Sequence, residues 1–410
     1  MKRKKKTKGK NFVNIGILVA QPPANQNRGE GGEIKTIRVG GEERVRISSQ
    51  CQKRSMRMSE EYQEFFEAFK LTGANRSRVH PRVIFDKFFE QAKSEGKEKL
   101  LAKACLIIAK VITKKEEGKI KPIPQEDIDA VVKFADDVSD EKSDKKGDKK
   151  KKKDLLSTEI LFLSKMEHEY FMGKVKECLE VGKVCEKEIR EDFPSDPDCL
   201  DISLCGRFCA GSSTINTVES ALSVAHAIGV SNIESTDDYF VAVDDFNKEG
   251  CGHLNTRQMS SNVLYLNFVI NLETLRQNME KDKKNDVRSI VANLLPLLYK
   301  TPTGHKTQDA GFVLPSFFVV GCSNKPMNFS GAFINSINEA NYSERNGKNE
   351  VELAIDALNE YIIKQKEMYE GDYIGALELD VASLGADEFV GKTHKNMSSL
   401  IKWVEGFDYE

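Results

Sequence analysis

No apolar run in this 410-residue chain approaches the roughly 20 residues that a membrane-spanning helix requires. The first ten residues, MKRKKKTKGK, lead into a strand-like pattern rather than the apolar stretch and small-residue cleavage site of a secretory signal. The expected compartment is therefore the cytoplasm, with no membrane partner. Nine cysteines, at 51, 105, 178, 185, 199, 205, 209, 251 and 322, include no C-x-x-C pair, and their odd count and irregular spacing predict reduced thiols packed as small apolar residues. The six histidines form no H-E-x-x-H and no Cys/His set at zinc-finger spacing, so no metal is expected. A phosphate-cradling G-x-x-x-x-G-K-[ST] loop fails because Ala386 stands where its first glycine belongs ahead of Gly391-Lys392-Thr393. No G-x-G-x-x-G follows a strand and no G-x-S-x-G is present, which removes the simplest dinucleotide and nucleophile-elbow readings and leaves no cofactor expected.

What is present is a soluble composition, 39% apolar and 31% charged, in a chain long enough for two or three cooperating modules. The net charge of −2 conceals an asymmetry. The first ten residues carry seven positive charges and no negative one, so the other 400 residues sum to −9. Nucleic acid, if it binds, must be held by local basic patches, because the field of the whole body repels phosphates.

Residues 1–10 read as a basic disordered tail. Val13, Ile15, Ile17 and Val19 alternate, which predicts a half-buried strand, and Arg44-Val45-Arg46-Ile47 predicts a second running into a helix capped by Ser48 or Ser49. From Ser59 to about Phe193 the period is helical, with aromatic stripes such as Tyr62, Phe65, Phe66 and Phe69 that suit a core better than a cofactor box. Within this block, residues 141–153 carry eight lysines against three acids; they read as a solvated linker, with a nucleic-acid-contacting arm as the alternative. Asp201 to Phe208 (DISLCGRF) reads as a strand, and Asn216 opens a helix stopped by Gly229. Residues 231–256 read as a long functional loop or projecting hairpin. Strands at 263–272 and 316–321 and helices at 284–299, 350–369 and 397–407 complete the expected α+β scheme, a sheet domain carrying two insertions.

Three groups of residues can carry chemistry. Arg28, Lys35, Arg44 and Arg46, then Ser48, Gln50, Lys53, Arg54 and Arg57, set cations, an amide and free backbone N–H groups at a helix start, a suitable cradle for consecutive phosphates; a solvated charged face is the commoner use of such a pattern. Phe208, Tyr239 and Phe240 can stack on or wedge between bases, against core packing as the alternative for Phe208. Asp237-Asp238 and Asp244-Asp245 could hold divalent cations for a nuclease, though adjacent loop acids are more often exposed turn residues.

The segments Pro22 to Arg28, Gly40-Gly41 and Arg44 to Arg57 (RVRISSQxxKRxxR), followed in order by DISLCGRF, SVAHAI, DYFVAVDDF, HLNT and SSNVLYLNFVINL, resemble the CasC family, the backbone subunit of the type I-E CRISPR surveillance complex Cascade. The resemblance implies a palm with an RRM or ferredoxin-like sheet (residues 11–58, 200–230 and 259–410, the last with the C-terminal helices), an inserted helical fingers domain (59–199) and a projecting thumb loop (231–258). It implies a non-enzymatic subunit that polymerises along CRISPR RNA and meets target DNA and other Cascade subunits. Arg28, Lys35, Ser48, Gln50, Lys53, Arg54 and Arg57 would hold guide phosphates, Phe208 would act as a base wedge, and Tyr239 and Phe240 would be the thumb's aromatic pair, kinking the guide at every sixth nucleotide. A metal-dependent endoribonuclease using the loop aspartates is the alternative function.

Overall fold

A computed structural model describes residues 11–113, 123–140, 155, 160–184, 186–194, 199–209, 212, 214–243, 251–279, 286–298, 313–337, 347–369, 378–383, 389–394 and 396–407. The basic tail, the lysine run at 141–153 and Asp244-Asp245 lie outside them. The chain divides into two compact units, one of Met1–Phe69, Ala221–Arg276 and Lys284–Glu410, the other of Lys70–Ser220 and Gln277–Lys283.

The first unit is built on a largely antiparallel sheet. Its strands are β1 (Phe12–Ala24), β2 (Thr36–Val39), β3 (Glu42–Ile47), β6 (Leu222–Val224), β7 (Ala227–Gly229), β8 (Ser235–Val243), β9 (Cys251–Asn271), β10 (Phe317–Ser323), β11 (Glu378–Ser383) and β12 (Lys392–His394), in the order β12-β11-β10-β1-β9-β7-β3-β2. Strands β6 and β8 also pair with β9, and only β11 and β12 run parallel. Placed at the centre, β1 is buried on both faces rather than one, from Val13 to Val19. The second face tolerates this because its polar residue is satisfied and its smallest residue makes room. Asn14 donates to Gly321 O at 3.2 Å and Ser323 Oγ at 2.7 Å and accepts from Met327 N at 2.7 Å. A Cβ on Gly16 would lie 2.8 Å from Val319 Cγ1 and 2.9 Å from the Tyr265 hydroxyl. Leu18, Tyr265, Phe317 and Val319 on this face pack with the 3-10 turn Phe329–Phe333 and with Leu353, Leu358 and Ile362 of a long C-terminal helix, Glu350–Met368.

Two expectations for local structure are corrected. DISLCGRF is a helix over Leu200–Cys205, not a strand, with Gly206 (φ +74°) ending it. Six residues carry too few periods to distinguish the two, and the alternation of Leu200, Ile202 and Leu204 with Asp201 and Ser203 mimics a strand. The helix expected from Asn216 to Gly229 is instead β6 and β7, because the second half of β9 offers them an open ladder: Leu222 pairs Ile270 and Ile228 pairs Tyr265.

The second unit differs in extent from the expected 59–199 insertion. The helix Glu60–Phe69 stays with the sheet unit, while residues up to Ser220 belong to the helical one. Ties of the 200–220 segment explain its place: Ala74 N donates to the Asp201 carboxylate at 2.9 Å, and Phe162, Cys199 and Ile202 share a small core. This unit holds a ribbon of β4 (Ala74–Ser77) and β5 (Leu161–Ser164) and helices that include His80–Ser94, Glu98–Thr113 and Lys165–Val181. Phe85, Phe89, Leu101, Ile108, Phe171 and Val175 form its core, the use expected for aromatic stripes. Cysteines 51, 105, 178, 199, 205, 209 and 322 form no disulfide.

His80 and His168 lie with tilted rings 5.7 Å apart between the helices His80–Ser94 and Lys165–Val181, with His80 Nε2 3.2 Å from Leu161 O. Burial holds both imidazoles below their ordinary pKa; the Leu161 and Asn75 backbones partly oppose this for His80, and Lys87 adds to it for His168. Between the lowered folded values and the ordinary unfolded value near about 6.5, the unfolded state binds more protons, so stability rises with pH there. Acidification from neutral pH through this window is expected to weaken the helical unit. Protection factors in these two helices, corrected for the pH dependence of intrinsic exchange, should fall, and His80→Gln with His168→Gln should remove most of that fall; protection independent of pH in the unaltered protein would contradict the assignment.

Candidate nucleic-acid interface

The helix Ser49–Arg57 (α1) begins where β3 ends, because the Ser48 hydroxyl caps it by accepting from Cys51 N at 3.3 Å. Its first turn contains no acid and its last carries Arg54 and Arg57. Two buried residues four apart, Gln52 and Met56, fix which side faces the sheet. The Gln52 amide donates to Ile47 O at 3.2 Å and Ala225 O at 2.8 Å, clamping the helix start between β3 and the β6–β7 connection. At about 100° per residue, Gln50, Arg54 and Arg57 then fall on the side away from this anchor, with Lys53 on its flank.

The remaining predicted phosphate ligands are brought to the same helix start by the loop between β1 and β2. Ser48 N donates to Asn27 Oδ1 at 3.0 Å, Lys35 N donates to Asn27 O at 2.8 Å, and Arg46 N donates to Lys35 O at 2.9 Å. Arg28 bridges to Ile34 across this loop, half-buried, with Nε and Nη2 lacking any protein partner. Lys35 and Arg54 both act on the Cys51 thiol; burial pushes that thiol up, and the Ser55 hydrogen bond and these two cations pull it back. Seven predicted residues, Arg28, Lys35, Ser48, Gln50, Lys53, Arg54 and Arg57, thus lie on one loop and one helix start that hydrogen bonds tie together.

Arg44 does not join them. Its side chain is 1% exposed, with Nη1 donating to Gly229 O at 3.3 Å and Val230 O at 2.6 Å and Nη2 3.7 Å from Glu42. Burial lowers its pKa and Glu42 opposes the shift. It serves as a strut between β3 and β7, and alternation in the sequence could not distinguish it from Arg46.

Tyr239 and Phe240 lie on β8, opposite Thr256 and Asn255 of β9, and the extended backbone sends them to opposite faces. Both are exposed, Tyr239 at 59% and Phe240 at 40%. β9 spans 21 residues, about 70 Å at strand rise; residues 260–271 pair with β1, while 251–260 pair with β8, so the hairpin runs on past the edge of the sheet. Asp237 and Asp238 are adjacent on the same strand and so also face opposite ways, with Asp238 across from Arg257. Among the described residues no group of three or more His, Cys, Asp or Glu could hold a metal ion.

Phe208 is on the helical unit and is 78% exposed. It is displayed by its neighbour. Arg207, 3% exposed, pairs its backbone with Val218 and sends Nη1 to both Glu167 oxygens at 2.8 Å and to Phe162 O at 3.1 Å, and Nε to Asn216 O at 3.0 Å. Core packing is thereby excluded for Phe208. The Arg207–Glu167 pair was not among the predicted site residues; an arginine beside an exposed aromatic was the available signal.

The sequence profile of the CT1975-like protein family matches residues 13–403. No curated protein sequence matches the chain. Among solved structures, a chain described as belonging to a CRISPR RNA-guided surveillance complex, pre-nicking, is 22% identical over 96% of this chain and 99% of its own, with a TM-score of 0.73. A chain of another CRISPR RNA-guided surveillance complex is 19% identical over the same shares, with a TM-score of 0.65. At these identities the likeness is one of fold.

Proposed function

The chain belongs to the CT1975-like family of Cas proteins, and from that premise we propose that it is a non-catalytic, RNA-binding backbone subunit of a type I-E Cascade surveillance complex. Several copies lie along the spacer of a CRISPR RNA, holding its phosphates and kinking it at regular intervals, and present its bases to target DNA beside the other Cascade subunits. The observation that carries this reading is the side of α1 shared by Gln50, Lys53, Arg54 and Arg57, away from or flanking the buried Gln52 and Met56, with Arg28 and Lys35 on the loop tied to the helix cap. A grip confined to phosphates leaves base edges free, which a carrier of variable guides requires. The two complexes of similar fold support the assembly, and the exposed Phe208, Tyr239 and Phe240 support the kinking.

The test is the nucleic acid that accompanies the purified protein. RNA of defined length should co-purify, and chemical probing should show reactive nucleotides at a six-nucleotide period. Phe208→Ala combined with Tyr239→Ala and Phe240→Ala should erase the period while leaving RNA bound. Oligomers free of RNA, or an evenly reactive strand, would overturn the proposal.

A further inference from the structure

Close to the start of α1 lies a recess lined by Gln21, Gln26, Asn27, Ser260 and Asn262 together with apolar side chains. Its origin is a break in the sheet. The β1–β9 ladder shifts register between Gln21 and Ala24, and a strand that bulges at its end opens space beneath the loop that follows. Gln21 and Asn262 face one another across the ladder at that break.

The polar groups of this recess lack protein partners. Both Gln21 Nε2 and Oε1, Gln26 Nε2 and Asn262 Oδ1 are buried with no hydrogen bond, on side chains 6%, 9% and 6% exposed respectively. The Asn262 amide has only a long contact, 3.5 Å, to Ser231 Oγ. Leaving a buried donor or acceptor unmade is costly, and several around one opening describe a site whose complement is supplied from outside. No charged side chain lines the recess, so the complement is not an ion. Donors and acceptors occur together, so it is a group that does both. The space is small, about that of one water molecule, which admits one oxygen-sized group and no aromatic ring.

A ribose 2′-hydroxyl has these properties, and deoxyribose lacks it. The recess is also in the right place. Asn27 lines it and, through Oδ1, accepts from Ser48 N at the cap of α1. A strand whose phosphates lay at the α1 cap would therefore come close to it. We propose that Gln21, Gln26 and Asn262 receive a ribose 2′-hydroxyl of the bound strand and make the protein select RNA over DNA. The inference rests on the phosphate grip proposed above, but it concerns the sugar rather than the backbone charge.

The test loads the full-length, RNA-stripped protein with oligonucleotides of one sequence made as RNA, as DNA and as RNA with 2′-deoxy substitutions, at one salt concentration. RNA should bind at least about tenfold more tightly than DNA, the scale of one buried hydrogen-bonding group left unpaired. Gln21→Leu or Gln26→Leu should bring the ratio towards one by lowering RNA affinity alone, whereas Lys53→Ala should lower both affinities together. Should Gln21→Leu disturb the sheet, Gln26→Leu in the loop and the 2′-deoxy series on the unaltered protein decide the matter. Equal affinity for RNA and DNA, or a ratio untouched by the variants, would overturn the proposal and leave the phosphate grip standing, the recess then holding only water. Binding of neither strand would overturn both.

Discussion

Replacing Lys53 and Arg57 together by glutamate is expected to leave the purified protein folded and nearly free of RNA. The two residues are four apart on α1 and share its outward side with Gln50 and Arg54, so one substitution pair reverses the sign of the surface on which successive phosphates would lie. Three further contacts hold the helix. The Ser48 cap, the Gln52 clamp on Ile47 O and Ala225 O, and the buried Met56 are untouched. Each phosphate contact to a single strand contributes about 0.7 to the slope of log affinity against log salt. Neutral variants, Lys53→Ala with Arg57→Ala, should therefore flatten the slope by about 1.4. The glutamate pair adds repulsion and should weaken binding by about a hundredfold or more at physiological salt. RNA content measured by absorbance and extraction after purification reads the result directly. Unchanged RNA content in a correctly folded double variant would remove α1 from the interface.

Arg207→Met should have the largest effect on stability. Arg207 and Glu167 are buried at 3% and 0% exposure, and the arginine's Nη1 meets both carboxylate oxygens at 2.8 Å. The same carboxylate accepts from Ser164 N at 2.8 Å in the capping box that begins the helix Lys165–Val181. Removing the guanidinium leaves a buried, uncompensated carboxylate, a loss of about 3–5 kcal/mol. Denaturant unfolding of the helical unit should show it. The double change Arg207→Met with Glu167→Gln should recover much of the loss, because the charge that made the single change costly is gone. The single variant should also blur the six-nucleotide reactivity pattern, since Phe208 follows an arginine that is no longer tied to Phe162 O and Asn216 O. Phe208→Ala should affect that pattern without affecting stability, which separates the support from the wedge. A loss under about 1 kcal/mol in Arg207→Met would mean that water reaches the pair and that it behaves as a surface bridge.

The parts of the fold that were legible early are those whose cause is local. Alternation in Val13 to Val19 marked β1, and the period of Tyr62, Phe65 and Phe66 marked a helix packed by its aromatic side. The phosphate-binding candidates on α1 were legible because they occupy ten consecutive positions and helical geometry alone puts them on one side. The failures have one cause. In 200–205 and 222–229 the segments are short, and their conformation follows what they pair with: the helix Leu200–Cys205 packs against Phe162, and β6 and β7 complete the ladder of β9. The two-face burial of β1 was likewise invisible, since it requires the Asn14 ties to Gly321, Ser323 and Met327, more than 300 positions away.

By itself the sequence determined an α+β chain with a helical insertion and a cationic helix start after the second strand, and it left Phe208 open between core packing and base contact. Only the tertiary structure decided that Arg44 is a strut while Arg28 remains unpartnered, that Arg207 and Glu167 hold Phe208 outward, and that Gln21 and Asn262 open a recess close to α1. The reason is one of distance along the chain. A helix face or an alternating strand is set by neighbours a few residues apart, whereas a buried ion pair 40 residues apart or an amide pair on two different strands exists only once the sheet has closed around it.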